Sequence, residues 1–146
     1  MSLFAPLHPR FVHFPIALLL TGSGAALIYL LARQRPALAT FAWISLVLGW
    51  LALFPVVLTG LIDQNQAPRD PAVVAAINPH IAVGFGLIIV YGLVLLERLR
   101  SPRALDDPKR RLMLLLLLVL GIALITLEGW LGGKLVYDLG VGVQGL

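Results

Sequence analysis

Six ionisable side chains could carry chemistry in this chain: His8, His13, Asp63, His80, Glu128 and Lys134, with the Tyr137 phenol beside them. Each stands at or near the border of a long apolar run. An ionisable group at the centre of a bilayer helix costs about 2.5–3.5 kcal/mol on insertion scales, so a group of them at one level calls for a function or for internal partners. Two histidines on different helices at one depth can ligate a haem iron from its two faces. His13 and His80 are the axial candidates, and the small residues one turn below them, Ala17 and Gly84, leave room for a flat macrocycle. A two-haem relay across a membrane needs a further histidine about four turns deeper on each helix. Those places fall near Leu27 and Val94, so the expectation is one haem b at most, near one surface.

The same residues allow other readings. A catalytic zinc site wants three protein ligands and an open position. His8, His13, His80 and Asp63 could supply ligands, but no HExxH-type spacing points to zinc. The plainest alternative is a structural polar layer, in which the histidines hydrogen-bond carbonyls or water at helix ends. Glu128, in the stretch LEGWLGGK, reads in two ways as well. It could carry a proton or bind a quinone hydroxyl, or it could simply pair with Lys134 or a histidine, the structural role being the simpler. Asp138 reads as interfacial. The chain has no cysteine, which removes thiolate metal sites, disulfides and a thiol nucleophile.

The elements that hold these residues follow from composition. Of the 146 residues, 60% are hydrophobic and 12% charged, and the mean hydropathy is +0.96. Soluble domains carry roughly a quarter charged residues, so the solvent for this chain is lipid. A membrane helix needs about 20 mostly apolar residues. Four segments qualify, at about 11–32, 41–62, 80–98 and 112–135, giving an all-α integral membrane protein, one four-helix bundle over residues 1–146. Glu128 lies sixteen residues after Leu112, roughly 24 Å along the fourth helix at 1.5 Å per residue. That brings it to the level of the histidines. Pro15 is expected to bend the entry of the first helix and Pro55 to kink the second. A short surface helix is expected over Pro71–Ile77, ahead of the third span. Gly132 and Gly133 read as a stop or a close-packing site for the fourth helix. Gly22, Gly24, Gly84 and the Gly129/Gly133 pair offer small faces for helix contact. Trp130 and Trp43 suit opposite interfacial belts, and Trp50 lies deeper.

Orientation follows from Lys and Arg in short loops. Arg33, Arg35, Arg98, Arg100, Arg103, Lys109, Arg110 and Arg111 fall on one side, against Arg10, Arg69 and Lys134 on the other. The first group is expected to be cytoplasmic, which puts both termini and the histidine layer outside, on the periplasmic side. The formal charge of +4 resides in these loops and is no sign of nucleic-acid binding. No cleavable signal peptide is evident at the start. The expected partners are the lipid bilayer and other membrane subunits or further copies of the chain. No enzyme activity of its own is expected, and the lack of an internal repeat weighs against a transporter.

The opening stretch LHPRFVHFPIALLL and the closing stretch GWLGGKLVYDLGVGV resemble the end motifs of a bacterial membrane family, the domain of unknown function 2231. The order of helices between them, with a histidine heading the third, is similar too. The resemblance covers nearly the whole chain. It implies a four-helix domain in the bacterial cytoplasmic membrane and no established activity. Such members look reminiscent of small b-type cytochrome modules, and His8, His13 and His80 match the family-like positions. In the closing motif a histidine is often found where this chain has Leu139, which weakens any site needing a ligand from the C-terminal segment.

Overall fold

A computed structural model describes residues 8–32, 36–65, 67, 69–100 and 107–142. Among them the chain is all helical: α1 (His8–Phe11), α2 (His13–Ala32), α3 (Pro36–Gln64), α4 (Pro71–Arg100) and α5 (Pro108–Tyr137). Pro15 has no N–H to offer the Phe11 carbonyl, and the first span is interrupted at Val12, so α1 and α2 are two parts of one membrane-length helix, His8–Ala32. With α3, α4 and α5 this makes four helices long and apolar enough to cross a membrane. The later helices start on proline. Asp70 Oδ1 accepts the Ala72 N–H at 2.7 Å, and Asp107 Oδ1 accepts the Lys109 N–H at 3.0 Å. Each aspartate caps a first turn whose proline has no N–H to satisfy.

Around the bundle α2 packs on α3 and α5, and α4 packs on α3 and α5, while α1 lies against α3 and α2. The helices therefore form a ring of sequential neighbours, as short antiparallel connections favour. The side chains inside the ring are apolar: Leu19, Ala26, Leu46, Val94, Leu114 and Leu118 have essentially no exposure. Tyr91 fills the centre and its hydroxyl reaches across the ring to Ser23 Oγ at 2.9 Å. Trp50 donates from Nε1 to the Ile88 carbonyl at 2.8 Å, joining α3 to α4. The outside is equally apolar. Leu31, Leu58, Ile89 and Leu116 are each more than half exposed. A surface of that kind fits lipid and would not stay dispersed in water.

The helices run further than the apolar runs that announced them. α4 begins at Pro71, not near His80, and takes in the segment expected to be a separate surface helix. It continues unbroken through Pro79 because Val73 and Ile77 pack against Leu135, with Ala67, Leu139 and Val141 around them. α5 likewise runs through Gly132 and Gly133 to Tyr137. Its end is set further on: Gly140, with φ of 63°, turns the chain back in a conformation that favours glycine. The Val141 N–H then reaches the Leu135 carbonyl at 2.8 Å. α3 passes through Pro55 as a single helix.

Two ends of the bundle differ in chemistry. At the arginine end the Arg98 guanidinium lies 5.4 Å from the centre of the Trp43 ring. Glu97 there is within 3.5 Å of Arg110 and 4.0 Å of Arg100. Arg33, Arg35 and Arg103 lie outside the described residues. The opposite, histidine end holds the start of α1, the end of α3, the first third of α4 and the end of α5.

Candidate functional site

His8 is fastened to α3 at two points. Its backbone N–H donates to Asp63 Oδ2 at 3.0 Å, and its Nδ1 lies 2.9 Å from the Val56 carbonyl oxygen. A carbonyl only accepts, so Nδ1 carries the proton, and in the neutral tautomer the lone pair is on Nε2. The ring fits because residue 60 is glycine: a Cβ there would sit 3.0 Å from His8 Nδ1. Gly60 thus lets α1 lie against the last turns of α3.

His80 enters from α4 and meets α5. Its Nδ1 is 3.3 Å from Glu128 Oε1, and each of the two side chains is only 16% exposed. The pair lies at ion-pair distance but out of line for a hydrogen bond. His80 Nδ1 and the other carboxylate oxygen, Glu128 Oε2, are both buried with no hydrogen-bond partner among the described residues. Two glycines again make the space. A Cβ on Gly132 would lie 3.3 Å from His80 Cε1, and one on Gly84 would lie 3.3 Å from Glu128 Oε1. The His8 and His80 rings then face each other with centroids 5.9 Å apart and planes at 89°. Four residues from four sequence regions, His8, Asp63, His80 and Glu128, thereby form one cluster.

The other polar residues singled out by sequence stay outside it. His13, five residues after His8, is exposed, and it is His8 that the fold sets against His80. Lys134 is exposed with its Nζ 4.8 Å from the centre of the Trp130 ring. Tyr137 is 88% exposed at the end of α5. Among the described residues no group of three or more histidine, cysteine, aspartate or glutamate side chains is arranged to hold a metal ion. Sequence reasoning missed Gly60 and the Val56 carbonyl. The sign available for Gly60 was its place one turn before Asp63 on the same helix.

The cluster can do three things chemically. It offers an imidazole lone pair at Nε2 of His8 when that ring is neutral, a carboxylate oxygen without a donor among the described residues, and a second imidazole beside that carboxylate. All lie at the end of a bundle whose buried side chains are otherwise apolar except for Ser23, Ser45 and the Tyr91 hydroxyl.

A sequence-family model described as "Predicted membrane protein (DUF2231)" matches residues 4–145. No curated protein and no solved structure matches the chain.

Proposed function

The chain belongs to the family of predicted membrane proteins designated DUF2231, and from that premise we propose that it is a small quinone-linked membrane subunit whose histidine end binds a quinone or hydroquinone headgroup. One observation carries the reading: His80 Nδ1 and Glu128 Oε2 are buried together without hydrogen-bond partners among the described residues. A buried polar atom left unpaired costs about 1–3 kcal/mol. A headgroup that bears hydroxyl or carbonyl oxygens and dissolves in lipid can answer both atoms at once, with a hydroxyl donating to Glu128 Oε2 and an oxygen meeting His80 Nδ1. His8, held by Val56 and Asp63, walls the site on the α3 side. Gly129, the residue after Glu128, has open space beside it, which suits entry from the bilayer.

The distribution of basic residues supports placing this end on the periplasmic side of a bacterial cytoplasmic membrane, with both termini there. A subunit with so few polar groups works alongside other membrane subunits or further copies of itself and is no enzyme alone. The reading is tested by equilibrium dialysis of a radiolabelled short-tailed hydroquinone against the protein in neutral detergent. Saturable, stoichiometric binding is expected. Uptake that rises linearly with concentration, as for partition into detergent micelles, would refute it.

A second reading, a single haem b, is favoured by the His8–His80 pair itself. Two imidazoles that bind one metal at about 2 Å each have ring centres on the order of 6 Å apart, and these rings are 5.9 Å apart. The pair that the fold brings together is His8 with His80, in place of His13 with His80. A bound haem would supply one-electron transfer. The expected result, if haem is held, is a Soret band and pyridine haemochrome that His8→Ala and His80→Ala each remove and His13→Ala preserves. Loss with His13→Ala and retention with His8→Ala would return the ligand to His13.

A further inference from the structure

The arginine end has more cation than its own carboxylates can use. Glu97 is engaged by Arg110 and Arg100, and Asp107 by the Lys109 N–H and Arg110 Nε. That leaves Lys109 and Arg111 with no carboxylate among the described residues. Arg111 Nε and, at the same end, Trp43 Nε1 are buried with no hydrogen-bond partner among the described residues. The first turn of α5 carries three successive cations, Lys109, Arg110 and Arg111, and no acid. Cations there oppose the positive end of the helix dipole, so within the protein this arrangement is unfavourable. Just beyond it begins an exposed apolar stripe, Leu112, Leu116 and Val119, at helical spacing along α5.

We infer that this end of α5 is a docking surface for a phospholipid with a net negative headgroup. The phosphate would meet the exposed Lys109, which stands one turn before Leu112 on the same face of α5, and the acyl chain would follow Leu112, Leu116 and Val119. Charge complementarity selects the headgroup, and the continuity of cation and apolar stripe selects a lipid over a free anion. Juxtamembrane basic residues draw anionic lipid in this way generally. What is particular here is that the carboxylates among the described residues at this end, Glu97 and Asp107, are already engaged by Arg100 and Arg110.

The test is the thermal unfolding midpoint of the full chain in neutral detergent, with added dioleoylphosphatidylglycerol or dioleoylphosphatidylcholine at equal mole ratio. Phosphatidylglycerol is expected to raise the midpoint by several degrees more than phosphatidylcholine. Lys109→Gln is expected to remove at least half of that difference, and Lys134→Gln, at the other end, none of it. Equal shifts from the two lipids, a shift that survives Lys109→Gln, or the same shift from inorganic phosphate would each overturn the proposal. The third of these would mean a free-anion site.

Discussion

Replacing Glu128 by leucine is expected to abolish saturable hydroquinone binding while leaving the bundle folded and at least as stable as before. Leucine has nearly the volume of glutamate, and the side chain it replaces is only 16% exposed. What it removes is a carboxylate whose second oxygen has no hydrogen-bond partner among the described residues. Replacing a buried polar group by an apolar one of similar shape is often neutral or stabilising. Glu128→Gln keeps the shape and an acceptor but loses the charge. A hydrogen bond to a charged group contributes roughly 1.5–3 kcal/mol, so binding should weaken about 10- to 100-fold. Equilibrium dialysis gives the affinity and thermal unfolding in detergent gives the stability. The two readings of the cluster part on the sign of the second quantity. If Glu128 served only to hold His80, its loss would lower the melting midpoint and leave quinone uptake as it was. Wild-type affinity in Glu128→Leu would therefore refute the ligand site outright.

The four spans were legible in the sequence because a bilayer imposes one strong condition, about 20 consecutive apolar residues, and this chain meets it four times. The helix ends were not, because that condition marks only the stretch inside the hydrocarbon. α4 and α5 are each 30 residues long, about 45 Å at the helical rise, against about 30 Å of hydrocarbon. The excess lies in segments such as Pro71–Pro79, where a separate surface helix is expected from the sequence ahead of the span. This segment is continuous with the span because Val73 and Ile77 have the end of α5 to pack on. Only the tertiary contact reveals that continuity.

Counting depth along the helices put His8, His13, Asp63, His80, Glu128 and Lys134 at one level, and of these the fold sets His8, Asp63, His80 and Glu128 against one another. Azimuth could not be counted in the same way. His8 and His13 are five residues apart, so on one continuous helix they would point about 140° away from each other, and only one can face His80. The break at Val12 and the anchoring of His8 by Asp63 and Val56 decide in favour of His8. The glycines carry the same lesson. The Gly129/Gly133 pair matched a packing motif, yet among the described residues a Cβ on Gly129 would meet nothing within 4 Å and one on Gly133 only Tyr137 of its own helix. Gly22 and Gly49 form the tight α2–α3 contact: a Cβ on Gly49 would come within 2.8 Å of Leu19, and one on Gly22 within 3.0 Å of Ser45. Spacing identifies a small face, and only the partner helix shows whether it is used.

Gly121→Ala is expected to destabilise the bundle strongly, and Gly121→Val to prevent its assembly. A Cβ on Gly121 would stand 2.7 Å from Tyr91 Cζ and 2.8 Å from its hydroxyl oxygen. These are atoms of a rigid ring at the centre of the ring of helices, fully buried and tied to Ser23 at 2.9 Å. The ring cannot swing aside without breaking that hydrogen bond or pushing α5 outwards, and overpacking of this kind costs about 1–3 kcal/mol per added group. Valine adds two more methyls at the same point. The gain in helix propensity from glycine to alanine, about 0.5–1 kcal/mol, offsets only part of this. It should appear undiminished in Gly129→Ala, where the added methyl meets open space. Thermal unfolding in detergent should thus show Gly121→Ala lowered and Gly129→Ala unchanged or raised. The cause can be isolated by a second change: Tyr91→Leu removes the ring, so Gly121→Ala should cost less in that background than in the wild type. Equal losses in both backgrounds would mean that the Tyr91 ring is not what Gly121 makes room for.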